Sequence, residues 1–547
     1  MARRMTLLAL TLCLLPGLAS AQVTFERLLN AADEPQNWLT YSGTYSSNRH
    51  TTLDQITADN VADLELSWVF QAQSLQVFQT TPIVVDGMMY ITEAPNTVLA
   101  LDAKRGRVFW RYEYTPVPES RPCCGRINRG VAILGDTLFM ATIDAKLIAI
   151  DAISGQPIWQ VDVARPEAGY AMTLAPLIVK DKVIISVAGG EYGIRGFISA
   201  YDAATGEEVW RFYTIPGPGE PGNETWEGDS WRYGGASAWL TGSYDPDTNL
   251  IYWGIGNPGP DWNPEQRRGD NLYSDSVVAL DADTGELDWY FQFTPNDPYD
   301  YDAVQIPVLV DYPAQDGSTL KLMLWGNRNG FFYVLDRTNG RFVNGREFVE
   351  LNWAEGLDDA GRPIMIPQPP GSTTYPGVQG GTNWYSPSYS PSTRLFYLSA
   401  WEGYGSVFIA QEAEYEEGRL FLGGLPAPPL PGAVIPGLAR GPINTWTEES
   451  GTGSVIAIDP TTGEQQWKFD MTDVTSSGIL TTATDLLFTG GREGYFHALD
   501  ARTGDLLWRK TLGGMIANGP ISYAVDGTQY VAAASGNGLF VFSLPED

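Results

Sequence analysis

The residues that could do chemistry lie in a few short stretches of this chain. RPCCGRINRG (121–130) sets Cys123 and Cys124 side by side, and the remaining cysteine of the chain is Cys13. SVAGGEYGIRG (186–196) holds one carboxylate and TPNDPYDYD (294–302) three, groups that can take up a proton from a substrate. TWEGDSWRYGGASAW (225–239) and GIGNPGP (254–260) add aromatics and an amide, and GNRNGFFYVLDR adds Arg328. Two histidines, His50 and His497, are too few for a Ser-His-Asp hydrolase or a histidine-ligated zinc site. His497 also stands at a repeat position that most sister copies fill with apolar residues, which marks it as structural. No Cys-x-x-Cys-His is present for covalent haem, and no glycine pattern opens a dinucleotide fold. What remains is the chemistry of carboxylates, amides, arginines and aromatics.

One phrase recurs between these stretches and sets the architecture that must position them. It reads LALDAKRGRVFW, IAIDAISGQPIW, SAYDAATGEEVW, VALDADTGELDW, IAIDPTTGEQQW and HALDARTGDLLW. Its aspartates are Asp102, Asp151, Asp202, Asp281, Asp459 and Asp500, and its tryptophans Trp110, Trp159, Trp210, Trp289, Trp467 and Trp508. A seventh copy, YVLDRTNGRFVN at Asp336, has Asn344 in the tryptophan position. Each copy is a short apolar strand, an Asp-x-x-x-Gly turn and a second strand ending in a large aromatic. The aspartate can accept turn amides, and the glycine can take positive φ. Asp102, Asp151 and Asp202 fall 49 and 51 residues apart, while later gaps of 79 and 123 leave room for a degenerate blade or long loops. Such a period predicts an all-β, eight-bladed β-propeller with tryptophan-docking repeats, the tryptophans wedged between blades. The Pro/Gly-rich LPAPPLPGAVIPGLARGP (425–442) is expected to be a loop over one face, because the repeat resumes at Ile456.

Taken in order, the non-repeat stretches resemble the quinoprotein alcohol dehydrogenases over nearly the whole chain. These are eight-bladed propellers holding pyrroloquinoline quinone (PQQ) and a metal ion on the ring axis. The resemblance implies that Cys123 and Cys124 close a disulfide against one face of the quinone. It implies that Trp239 stacks on the other face. Arg129, Thr142, Ser237, Arg328 and Asn383 become further cofactor contacts, with Arg328 bonding the quinone oxygens. Glu191, Asn257 and Asp300 match the metal ligands, all oxygen donors as a hard cation requires. Asp300 also matches the catalytic base that takes the alcohol's hydroxyl proton. Asp302 lies two residues on, and in an extended segment both carboxylates point to one side. In this family an acid there marks members that use a lanthanide, so a lanthanide ion is expected, with Ca2+ as the alternative. Three positions depart from the usual pattern: Gln79 replaces Glu, Ala188 replaces Ser, and Ser476 replaces an aromatic. A smaller residue at the mouth would admit an alcohol larger than methanol.

The start, MARRMTLLALTLCLLPGLASAQ, has a basic head, a short apolar run and Ala19-Ser20-Ala21. This is the layout of a secretory signal cleaved after Ala21, leaving 22–547 as one propeller. The run is too short to span a bilayer, and no later segment is long enough, so no membrane span is expected. A periplasmic location follows, in an oxidising compartment that suits the cysteine pair. The net charge of −31 repels nucleic acid. The expected partners are a small-molecule alcohol and an external electron acceptor, a periplasmic cytochrome c. The competing reading is a non-catalytic periplasmic propeller scaffold. It predicts the repeat without the cysteine pair or the Glu/Asn/Asp/Arg constellation, and with a lipid-anchor signal.

Overall fold

The strands that read as unbroken apolar runs are the ones buried on both faces. In blade 1, Ile83–Val85, Met88–Glu93 and Thr97–Asp102 are almost wholly buried, while Val108–Glu113 is largely exposed. These four strands form an antiparallel meander in chain order. A computed structural model describes residues 22–314, 316–427 and 451–545. The expected leader with Cys13, and most of the 425–442 loop, lie outside the described residues.

The meander recurs over 132–162, 177–213, 243–292, 308–347, 388–470 and 480–511. The eighth blade joins Ile521–Val525, Thr528–Ser535 and Gly538–Ser543 to Glu65–Gln71, which pairs antiparallel with Gly538–Ser543. A strand from the beginning of the chain thus completes the last blade. The expected eight-bladed propeller is the observed fold. The 123-residue gap between Asp336 and Asp459 holds loops and two small sheets, Ala354–Leu357 with Pro363–Met365 and Val407–Ala410 with Gly424–Ala427.

The recurring phrase docks each blade on the next. Asp281 Oδ1 accepts the amides of Asp283 and Thr284, and Gly285 has φ +72°. The indole of Trp210, from the preceding blade, lies over that glycine. A Cβ on Gly285 would stand 2.5 Å from the ring, so glycine is required for space as well as for φ. Trp210 Nε1 donates to Ala282 O at 3.2 Å, and Trp110, Trp159 and Trp467 repeat the contact with Ala152, Ala203 and Ala501. Trp289 stacks on Gly340 in the same way, but its Nε1 is buried without a partner, where the next copy has Arg337 for alanine. Trp508 instead meets Phe542 edge-on. Trp68, in ELSWVFQ, docks on Gly106 and donates to Ala103 O; it is a further copy of the docking tryptophan, with no Asp-x-x-x-Gly turn ahead of it in the chain.

In a meander, alternate turns emerge on opposite faces of the ring. The Asp-x-x-x-Gly turns share one face. Residues 22–51 run beneath it and bond every blade in turn. Val23 pairs with Gly135, Trp38 with Val84, and Gln36 O accepts Ala524 N. Tyr45 Oη donates to Ile178 O, and Tyr244, Leu309, Tyr389 and Thr481 amides donate to Tyr45, Ser46, Asn48 and Arg49 carbonyls. The opposite face carries the segments entering each innermost strand, and these are the segments that hold the candidate site residues.

Candidate active site

Every blade contributes to one cavity of about 390 Å³ on the ring axis. Just before the eight innermost strands stand, in order, Gln79, Arg129, Thr173, Trp239, Asp302, Tyr385, Ser476 and Ala517, and all line it. Longer loops on the same face add Cys123, Cys124, Glu191, Arg328 and Arg492. Of the residues selected from sequence, Cys123, Cys124, Arg129, Glu191, Ser237, Trp239, Asp300, Asp302, Arg328 and Asn383 line this cavity together. The three departing positions, Gln79, Ala188 and Ser476, also face it.

Thr142 is elsewhere. Its side chain is fully buried and its hydroxyl donates to Asp144 at 2.6 Å. The threonine in the wall is Thr173, whose hydroxyl and carbonyl accept Arg129 Nη1 at 2.9 and 3.3 Å. Asn257 is also absent from the lining, and its buried Nδ2 has no hydrogen-bond partner. The sulfurs of Cys123 and Cys124 stand 3.0 Å apart and are not bonded, a departure from the expected disulfide. Both thiols lie within 4.8 Å of a Glu191 carboxylate oxygen.

Arg129 has no ion pair among the described residues. It is only 2% exposed and lies over the indoles of Trp239 and Trp384, 5.1 and 4.7 Å from their centroids. Its Nε has no partner, and burial pushes its pKa down to about 10. A buried guanidinium held between two flat rings with an unused N–H fits a planar anion. Gln79 Oε1 is likewise buried and unpartnered. PQQ, a planar quinone bearing carboxylates, matches this donor set.

Arg328 organises the acidic wall. Its Nη1 donates to Asp302 at 2.7 Å and its Nη2 to Asp300 at 3.2 Å, while Nε and Nη2 also reach Val378 O. Asp302 is a hub: Oδ1 accepts Asn257 N at 3.0 Å, and Oδ2 also accepts Trp239 Nε1 at 3.3 Å. Gly256 makes room for it, since a Cβ there would lie 2.1 Å from Asp302 Oδ1. Asp300 sits at φ +60° and takes a single bond, from Arg328. Burial lifts its carboxyl well above the usual range; Arg328 opposes this, and Asp302 and Asp261 add to it. Burial raises Glu191 too, with Asp302 contributing. Clustered buried carboxylates with one guanidinium among them form an oxygen-rich set suited to a hard, highly charged cation.

Sequence reasoning overlooked two residues behind this wall. Arg267, fully buried, bonds Pro260 O, Asp261 O, Asp297 O and Asn271 Oδ1. It thereby ties the GNPGPD loop to the TPNDPYDYD loop. Asp297 accepts the amides of Tyr299 and Tyr301, which turns the chain so that Asp300 and Asp302 face the cavity; burial pushes it up to about 6. The other is Asp261, 2% exposed, with Oδ1 unpartnered. His497, as read from sequence, is structural: it packs between Phe469 and Tyr495, away from the cavity lining.

Residues 38–349 match the family model described as the β-propeller domain of glucose/ethanol/alcohol dehydrogenases. Residues 451–544 match the family model described as the outer membrane protein assembly factor BamB. The chain is 38% identical to the quinoprotein alcohol dehydrogenase PedH of Pseudomonas putida, covering 97% of this chain and 91% of that one. It is 35% identical to the lanthanide-dependent methanol dehydrogenase of Methylacidiphilum fumariolicum, covering 98% and 90%. A solved europium-containing methanol dehydrogenase superposes with a TM-score of 0.84 at 31% identity, covering 95% of this chain and all of that one. With the ring, the axial cavity and its arginine–carboxylate wall, these likenesses place the chain in the PQQ-dependent quinoprotein alcohol dehydrogenase family.

Proposed function

We propose that this protein is an exported dehydrogenase that oxidises an alcohol to an aldehyde or ketone, with PQQ and a lanthanide ion as cofactors. The observation that carries the reading is Arg129, a buried guanidinium with an unpartnered Nε, lying over two indoles in the cavity that the carboxylates also line. Bound in this cavity, PQQ would supply the acceptor for hydride from the carbinol carbon, and a cation held by the acidic wall would supply Lewis-acid polarisation.

The chain's own residues do the rest. Asp300 accepts the hydroxyl proton; it is a buried carboxylate whose one hydrogen bond comes from Arg328. Arg328 holds that carboxylate in place through one arm and Asp302 through the other. Glu191, Asn257, Asp300 and Asp302 would hold the cation through oxygen, with the second aspartate offsetting the extra charge of a trivalent ion. Relatives named for lanthanide and europium support that choice over calcium. Trp239, fixed by Asp302, offers one flat wall, and Cys123–Cys124, whose adjacent sulfurs an oxidising compartment would join, the other. Ser476, in place of a larger side chain, leaves room for a bulky alcohol.

Apoprotein reconstituted with PQQ and lanthanum should reduce an artificial dye in the presence of alcohols, and do so better than with calcium. No turnover across a panel of primary and secondary alcohols would overturn the activity. Equal turnover with both ions, unchanged in Asp302→Ala, would return the metal to calcium. Thiol labelling of denatured, unreduced protein should find neither cysteine free. N-terminal sequencing of the exported protein should begin at Gln22. A basic periplasmic cytochrome c suits the acidic surface as the external acceptor.

A further inference from the structure

The loop that carries Asn257 holds one acid to which the reading above gives no task. Asp261 follows Asn257 by four residues in GNPGPD, is 2% exposed, and has its Oδ1 buried without a hydrogen-bond partner. Asn257, 6% exposed, has its Nδ2 buried and unpartnered as well. One is an acceptor lacking a donor, the other a donor lacking an acceptor, and the two side chains lie within reach of each other. Glu191 and Asp302 act on Asp261 as like charges, so it belongs to the same buried acidic region. Arg267 bonds Asp261 only at its carbonyl and acts on the carboxylate through charge alone, partly offsetting the two neighbouring acids.

An unpaired carboxylate buried beside two others is costly unless a cation compensates it. Side-chain amides that bind cations do so through oxygen, which requires the NH2 to be held on the far side. We propose that Asp261 is a positioning residue of the cation site: it accepts the Nδ2 hydrogen of Asn257, turns the amide oxygen toward the ion, and adds a negative charge that favours a trivalent over a divalent cation. This rests on the hard-cation reading of Glu191, Asn257, Asp300 and Asp302.

The test uses PQQ-loaded protein. La3+ and Ca2+ affinities are measured by titration calorimetry, and waters bound to Eu3+ by luminescence lifetimes in H2O and D2O. Asp261→Ala should weaken La3+ by about 10- to 100-fold and add a water to Eu3+, because Asn257 is no longer held. Asp261→Asn keeps an acceptor oxygen but loses the charge. It should preserve the Eu3+ water count while narrowing the La3+ over Ca2+ preference. Should Asp261→Ala fail to fold, Asp261→Asn carries the test through that preference alone. La3+ affinity within about twofold of wild type, with unchanged hydration, would overturn the proposal. If wild type binds neither La3+ nor Ca2+, the cation reading itself falls and this proposal with it.

Discussion

Asp300 and Asp302 stand two residues apart and carry different loads. Both oxygens of Asp302 accept only from donors: Asn257 N on one side, Arg328 and Trp239 Nε1 on the other. An amide in its place must turn an NH2 toward one of those donors, so Asp302→Asn should lower the melting temperature and loosen PQQ together. Asp300 accepts one hydrogen bond, from Arg328, and an amide in its place keeps an oxygen for the cation. Asp300→Asn should therefore leave PQQ absorbance and melting unchanged while kcat falls by about 10²–10⁴, the usual worth of a general base. Single-turnover measurements check this: a kcat within a few-fold of wild type would assign the base elsewhere. Arg328→Lys tests the fork that joins them. An ammonium cannot bond both carboxylates and Val378 O in that geometry, so kcat should drop although the charge is kept.

At the scale of elements, His50–Thr51 is the short strand that fastens the segment 22–51 to blade 7, pairing parallel with Leu480–Thr482. The His50 ring meets Thr481 Oγ1 at 2.9 Å, and burial pushes its pKa down from 6.5 to about 4, partly offset by Asp485. The folded protein therefore holds this imidazole neutral, while the unfolded chain protonates it near 6.5. Its contribution to stability is whole above pH 6.5, shrinks as the pH falls, and is gone near pH 4. The difference amounts to about 3 kcal/mol. Between pH 7 and 4.5, wild type should lose most of that amount relative to His50→Gln in denaturant titrations; parallel losses would show that the ring is protonated in the fold. This segment was not legible in the sequence, for a physical reason. YSGTYSSNRHTT bonds the blades largely through its main chain, and backbone pairing leaves no side-chain period to read. The blades were legible because docking demands the same aspartate, glycine and tryptophan at every interface. Trp68 escaped because its strand is separated from the rest of its blade by most of the chain. The cavity was legible where its residues interrupt the repeat. Thr173 and Arg267 were not, since their contacts are to an arginine and to carbonyls contributed by distant loops.

At the scale of the whole molecule, the ring is closed by Glu65–Gln71, and closure decides how it should unfold. In an open repeat array each unit depends only on its neighbours, and a weakened interface can separate on its own. Here every blade has two neighbours, and all eight also bond the segment 22–51. Two tryptophans permit a matched comparison. Trp68 lies at the seam between the last and first blades, and Trp210 lies between blades 3 and 4. Both are 8% exposed, both donate to an alanine carbonyl at 3.2 Å, and both cover a turn glycine. Neither carries a charge, so the strongly acidic character of the protein bears equally on both changes. Trp68→Ala and Trp210→Ala should each cost about 3–5 kcal/mol. In calorimetry both variants should still melt in a single transition, shifted by similar amounts, because loss at one interface is felt by the entire closed ring. A second, earlier transition in Trp68→Ala alone would mean that the seam opens independently, and that the ring behaves as an array whose ends happen to meet.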